Sequence, residues 1–187
     1  MMITIVLGFM IVCVNVWAQQ SEFSSNENNY SVAVINRELT SRPLTWSDFK
    51  GIPDEKSSFH AFTVWNMKSE VINVKHRKDT VVFSYKAYAE LGDSSWVKKG
   101  KESEYLLKHE QGHFDIAKLC AREITETMKK TIFLRNDFPA KFNDVLKEIR
   151  EKYNIMTWQY DLETNHSKDK AAQKKWDDYF EKELQSQ

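Results

Sequence analysis

Cysteine is scarce in this chain, which holds only Cys13 and Cys120. Once the N-terminal segment discussed below is removed, Cys120 is alone and no internal disulfide can form. Packing, with or without a bound metal, therefore has to stabilise the fold. The sequence also lacks the paired cysteines of structural zinc sites. Because Cys120 falls on an apolar helical stripe, we interpret it as a small buried hydrophobic residue rather than a nucleophile or a ligand.

A net charge is lacking as well, because 27 Lys and Arg residues balance 27 Asp and Glu residues. A chain without a positive excess has no overall electrostatic attraction for nucleic acid or for an anionic membrane surface, so nucleic-acid binding is disfavoured. The sequence contains no Gly-rich phosphate loop and no Gly-x-Ser-x-Gly nucleophile elbow. It therefore gives no sign of a nucleotide site or of a serine hydrolase.

The N-terminus is apolar and uncharged from Ile3 to Val16 and ends in a small-residue pattern at Ala18. This pattern predicts an export signal over residues 1–18 and a secreted or periplasmic protein. The run is shorter than the roughly 20 residues of a comfortable membrane span, so we expect no stable span after cleavage. An uncleaved anchor is the alternative, since the start lacks Lys and Arg. Residues 19–29 are polar and predict a flexible tether, which leaves 30–187 as a single domain.

Strand signals dominate the first half of that domain. Three runs, 59–67, 70–78 and 80–90, are rich in β-branched and aromatic residues. The short separators at 68–69 and 78–79 predict tight antiparallel connections. The third run alternates apolar and mixed positions, so one face of the sheet is expected to be buried.

Helical periodicity replaces these signals from Ser103 onward. Inward-facing positions recur three and four residues apart, which predicts one long helix with a buried face. A second helix is predicted from Pro139 to Tyr153, and a third over 168–184. Together these patterns predict an α+β fold, with an antiparallel sheet packed on the long helix and further helices at the C-terminus. The stripe of the long helix consists of Leu106, His109, Glu110, His113, Ala117, Cys120, Ile124 and Met128.

One motif on the long helix carries recognisable chemistry, the spacing His-Glu-x-x-His at His109, Glu110 and His113. Residues four apart lie on one face of a helix, so both imidazoles can bind a single metal ion. A carboxylate beside them can take a proton from water, and the motif is therefore typical of zinc hydrolases with Glu as general base. The alternative is a pair of core histidines held by hydrogen bonds.

A catalytic zinc ion usually has three protein ligands, so a third donor is expected downstream. Residues 154–167 look irregular and offer three candidates, which we rank as His166, then Asp161, then Glu163. Imidazole suits zinc well, and a carboxylate that is not a ligand can orient a ligand histidine. Tyr160 is a candidate donor to the oxyanion of a tetrahedral intermediate, although a packing role is the more frequent one for a tyrosine.

The order of four motifs along the chain resembles the DUF922 family, bacterial proteins described as predicted secreted zinc-dependent proteases. The resemblance implies a zincin-like catalytic domain, with His109 and His113 as metal ligands, Glu110 as catalytic base and the segment from Tyr160 contributing to the site. Ser167 departs from the family pattern, in which a glycine often follows the last histidine. The motifs are Leu44–Gly51, Ser95–Val97, His109–Ile116 and Tyr160–His166.

The expected function is that of an exported zinc-dependent metallopeptidase, which hydrolyses a peptide or protein substrate with Glu110 as general base. Zinc is the expected cofactor. Two alternatives stay open: a zinc amidase that acts on cell-wall or other small amides, and a non-catalytic exported zinc-binding module. The presence of Glu110 argues against the module, because purely structural metal binding needs no carboxylate at that position.

Overall fold

The computed structural model describes residues 32–185, so the predicted export signal and tether lie outside the described residues. The α+β class is confirmed, with a sheet packed against a long helix and two further helices. The strands are β1 (Ala33–Ile35), β2 (Glu38–Thr40), β3 (Ala61–Phe62), β4 (Trp65–His76), β5 (Thr80–Leu91), β6 (Trp96–Val97) and β7 (Phe133–Leu134); the helices are α1 (Glu104–Lys130), α2 (Phe138–Glu163) and α3 (Lys170–Gln185).

The main sheet has the strand order β2-β1-β5-β4, and β7 also pairs with β5. Its pairings are antiparallel except for the parallel contact of β1 with β5 at Val34 and Glu90. The predicted hairpin at 78–79 is confirmed, since Arg77 and Thr80 exchange backbone hydrogen bonds of 2.9 and 3.3 Å. The predicted turn at 68–69 is wrong: β4 runs through it, because both residues pair in register with β5.

The long helix α1 is the central element of the fold. Ser103 caps it, because its hydroxyl oxygen accepts a hydrogen bond of 3.2 Å from the Leu106 N–H. The predicted inward face is confirmed and contacts β5 and β4 as well as α2 and α3. Cys120 is fully buried on that face, and its burial raises the pKa of the thiol to about 12. At neutral pH this cysteine is therefore an inert packing residue.

The second helix is longer than the sequence patterns predict. Pro139 stands in its first turn, as expected, but α2 continues through Glu163 rather than becoming irregular after Tyr153. The reason is that Tyr153 and Tyr160, seven residues apart, both lie buried against the core and keep the helical period. Asp161 consequently stands on the last turn of a helix and not in a loop. No helix in the described part of the chain has the length and apolar character needed to cross a membrane.

The motif around Trp46 forms a short 3₁₀ turn, Trp46–Asp48, organised by the buried carboxylate of Asp48. Asp48 accepts hydrogen bonds of 2.8 and 2.7 Å from Arg42, and others from the Thr45 N–H and the Asn36 amide. The turn is tied to α1, because the Leu44 N–H donates to the Gln111 side chain at 2.7 Å. The segment around this turn therefore packs on the N-terminal half of α1 and is held there by the hydrogen bond between Leu44 and Gln111.

We expect Asp48→Asn to lower stability by about 2 kcal/mol at neutral pH, since it removes the charge of a buried carboxylate that accepts hydrogen bonds from Arg42 and Thr45. Burial alone would raise the pKa of Asp48, but hydrogen bonds from Arg42 and Thr45 outweigh it and lower the pKa from 3.8 to about 2. A lowered pKa means that the carboxylate stabilises the fold above pH ~4 and that this contribution disappears as the pH falls to ~2.

Urea unfolding at several pH values between 2 and 7 measures this effect. The stability of Asp48→Asn should depend less on pH below 4 than that of the wild type. Asp54→Asn, on an exposed loop residue, is the matched control and should keep the wild-type profile. Equal acid sensitivity of all three proteins would contradict the assigned role of Asp48.

Candidate metal centre

The two histidines of the motif lie one turn apart on the buried face of α1. His109 is 3% exposed and His113 is 8% exposed, and their rings are perpendicular with centroids 5.0 Å apart. Both Nε2 atoms point toward α2, as the predicted inward face of the helix requires. The motif therefore lies where α1 meets the C-terminal helices and not on an outer surface.

Asp161, on the last turn of α2, completes a group of three potential ligands. Its Oδ1 lies 3.2 Å from His109 Nε2 and 3.2 Å from His113 Nε2, and the three ligand atoms all lie within 4.8 Å of one another. Ligand atoms arranged as a tetrahedron around zinc, about 2.0–2.1 Å from it, are themselves about 3.3–3.4 Å apart. His109, His113 and Asp161 thus have the donor types and spacing to hold a metal ion.

The hydrogen bonds between Asp161 and the two histidines affect the pKa values of Asp161 and His109. Burial would raise the pKa of Asp161, but hydrogen bonds with His109 and His113 outweigh it and hold that pKa well below its usual range. Burial would lower the pKa of His109, and here the hydrogen bonds to Asp161 and Gln173 raise it overall. The third position of the group is therefore an anionic carboxylate, which favours a cation between the two imidazoles.

His166, ranked first from the sequence, lies beside the group rather than within it. Its Nδ1 is 3.4 Å from Asp161 Oδ1, its side chain is 46% exposed, and its ring packs against Phe59 with centroids 5.0 Å apart. It stands in a turn of three consecutive residues with positive φ, of which Ser167 is the last at 68°. Glu163 is directed elsewhere, because its carboxylate accepts from the Trp176 indole at 2.8 Å. The structure thus brings Asp161 to both histidines and places His166 at the rim.

Tyr160 is fully buried beneath the histidines. Its ring stacks on His109 with centroids 4.7 Å apart, and its hydroxyl donates to the His109 carbonyl oxygen at 3.0 Å. The hydroxyl also accepts from the Gln173 amide at 2.6 Å. A phenol engaged in this way faces the backbone of α1 rather than a cleft, so the geometry favours the packing role over the oxyanion role. A Cβ on Gly112 would lie 2.2 Å from this hydroxyl, which explains a glycine inside α1.

Glu110 is also buried, and Thr63 holds it. The Thr63 hydroxyl donates to Glu110 Oε2 at 2.6 Å from the segment between β3 and β4. This contact fixes one carboxylate oxygen of the predicted base. The sequence alone does not predict this role of Thr63, because the contact joins residues that are 47 positions apart in the chain.

The sequence patterns likewise did not predict a role for Gln173, which lies on α3. It is 1% exposed, and its side chain lies between His109 Nδ1 at 3.0 Å and Asp177 Oδ1 at 2.9 Å. A signal was present in the sequence, because Gln173 stands three residues before Trp176 and seven before Phe180 on an otherwise apolar stripe. A polar residue on a buried helical face needs polar partners there.

The comparisons with known proteins agree with the motifs. The model of a family described as "Bacterial protein of unknown function (DUF922)" matches residues 94–167, a segment that holds both the His109 motif and Asp161. This match supports the assignment to the DUF922 family that the order of the motifs indicates. No curated protein and no solved structure matches the chain.

Proposed function

We propose that this protein is a member of the DUF922 family and an exported zinc-dependent hydrolase that cleaves peptide bonds in a peptide or protein substrate. The observation that carries the proposal is the convergence of His109 Nε2, His113 Nε2 and Asp161 Oδ1, with the Glu110 carboxylate one residue along the same helix. Two imidazoles and one carboxylate are a ligand set of catalytic zinc, which leaves a fourth position for water or substrate. Export rests on the N-terminal sequence pattern.

Zinc and the side chains of the site would supply different parts of the hydrolytic chemistry. Zinc supplies Lewis-acid polarisation of the substrate carbonyl and makes water more acidic. Glu110 takes the proton from the attacking water and later delivers it to the leaving amine. Thr63 restricts the rotation of Glu110 through its 2.6 Å hydrogen bond, and Asp161 neutralises positive charge between the histidines. Tyr160 stacks on His109 and keeps that ring in place.

A second candidate, a closed and non-catalytic zinc site, is favoured by one observation. His166 Nδ1 lies 3.4 Å from Asp161 Oδ1, close enough to join the other donors as a fourth protein ligand. Four protein ligands are typical of structural zinc, whereas three with an open position are typical of catalytic zinc. The exposed position of His166 favours the open site.

Metal content of the mature protein tests the proposal and separates these two candidates. Elemental mass spectrometry should find about one zinc ion per chain in the wild type. We expect Asp161→Ala to lose this zinc and His166→Ala to retain it. Loss in both variants would favour the closed site. Iron in place of zinc, or no metal in the wild type, would overturn the proposal.

Cleavage should be measured on the same preparations with a fluorogenic peptide library and with cell-wall peptides. We expect peptide cleavage that a zinc chelator abolishes and that added zinc restores. Cleavage of the cell-wall amides alone would favour the amidase, which uses the same chemistry. If the zinc-loaded protein cleaved neither class, the binding module would remain.

A further inference from the structure

The amide of Gln173 is held in one orientation by its partners. Its Nε2 donates to the Tyr160 hydroxyl oxygen at 2.6 Å and to Asp177 Oδ1 at 2.9 Å, which uses both amide hydrogens. Asp177 can only accept, and its other oxygen is paired with Lys108 Nζ at 2.8 Å. A flipped amide would set two oxygens against each other, so the amide oxygen Oε1 faces His109 Nδ1 at 3.0 Å.

This orientation determines how His109 can bind a metal. Because Oε1 is an acceptor, His109 Nδ1 has to carry a proton and donate it. A neutral imidazole with its proton on Nδ1 has its lone pair on Nε2, the atom that lies 3.2 Å from Asp161 Oδ1. Gln173 therefore stabilises the one tautomer of His109 that can act as a ligand at this position.

We propose that Gln173 is a positioning residue of the metal centre, through which helix α3 sets the tautomer and ring orientation of His109. The inference rests on the metal binding of the proposed function but not on its hydrolysis. It joins α3 to the site, although α3 itself provides no ligand. Binding effects are reciprocal, so zinc should in turn strengthen the docking of α3 against α1.

Zinc affinity of the full mature chain tests this inference, measured by competition with a chromophoric chelator. We expect Gln173→Leu to weaken zinc binding about 10- to 100-fold, as is usual when the partner of a ligand histidine is lost. Hydrogen exchange of residues 170–185 should slow on zinc addition in the wild type and change less in Gln173→Leu.

Phe180→Leu is the matched control. Phe180 lies on the same buried face of α3 and contacts the Tyr160 ring, with centroids 5.7 Å apart, but has no polar group for His109. It should lower the melting temperature of the metal-free protein while changing zinc affinity less than threefold. The protected Nδ1 proton of His109 should remain visible by NMR in zinc-loaded Phe180→Leu and disappear in Gln173→Leu.

Each outcome decides the matter. Wild-type affinity in Gln173→Leu, or an equal loss of affinity in Phe180→Leu, would overturn the inference and leave the proposed function intact. Zinc binding that depends on Gln173 in a protein without hydrolytic activity would support the inference and overturn the proposed function. A wild type that binds no zinc would overturn both.

Discussion

Glu110→Gln is expected to retain zinc and to lose hydrolysis by about 10²- to 10⁴-fold, the usual contribution of a general acid or base. Glutamine has the shape of glutamate and can still accept the hydrogen bond that the Thr63 hydroxyl donates at 2.6 Å. The fold around the site should therefore be unchanged, while the group that accepts the proton from water is gone. The loss should appear in kcat rather than in KM, because the substitution removes an interaction of the transition state.

Glu104→Gln is the control for this substitution. Glu104 is exposed in the first turn of the same helix, so its replacement changes the charge of α1 equally without touching the site. It should cleave substrate at the wild-type rate, and zinc content should be equal in all three proteins. Undiminished cleavage by Glu110→Gln would refute the assignment of Glu110 as base, whereas loss of zinc in that variant would leave its catalytic role undecided until the metal was restored at higher concentration.

Gly112→Ala should destabilise the fold, although it adds only one methyl group to a helix. Alanine normally improves a helix by about 1 kcal/mol relative to glycine. Here the added Cβ would lie 2.2 Å from the Tyr160 hydroxyl oxygen and 2.6 Å from its Cζ, so the ring has to move. Overpacking of this kind costs about 1–3 kcal/mol. Because Tyr160 stacks on His109 and bonds to Gln173, its displacement should also weaken zinc binding.

A double-mutant cycle tests whether the Tyr160 ring causes the destabilisation. In a Tyr160→Leu background the obstructing ring is absent, so Gly112→Ala should become neutral or stabilising as its helix propensity takes over. Thermal melting of the metal-free proteins measures stability, and chelator competition measures zinc affinity. If Gly112→Ala destabilised both backgrounds equally, contact with Tyr160 would not be the reason for the glycine.

Local patterns predicted much of this fold. The period of α1 is visible in the sequence because a single helix face is buried along its length, and Ser103 marks its start. The continuity of β4 across 68–69 was not visible, because it depends on pairing with β5 rather than on the propensities of those residues. The extent of α2 could have been inferred from Ile149, Tyr153 and Tyr160, whose spacing of four and seven continues the helical period.

The candidate site was predictable where it is local and unpredictable where it is not. His109, Glu110 and His113 stand within one helical turn, so their spacing alone predicts a shared face. His166 was ranked before Asp161 because imidazole suits zinc, whereas the position of Asp161 opposite both histidines depends on the continuation of α2 through Glu163. Thr63 lies 47 residues from Glu110 in the sequence, and Gln173 lies 64 residues from His109. No local sequence pattern indicates contacts over such separations.

His109 and Asp161 stand 52 residues apart in the chain. An ion bound by both would act as a removable cross-link, and a tie across a loop of that length is worth about 4 kcal/mol in a chain-entropy model. The residues that the structure describes include one cysteine, Cys120, so no disulfide within them can do the same. If the chain is exported and binds zinc as proposed, the supply of zinc outside the cell controls how long the protein survives there, because the metal-free chain would open more often and be degraded sooner.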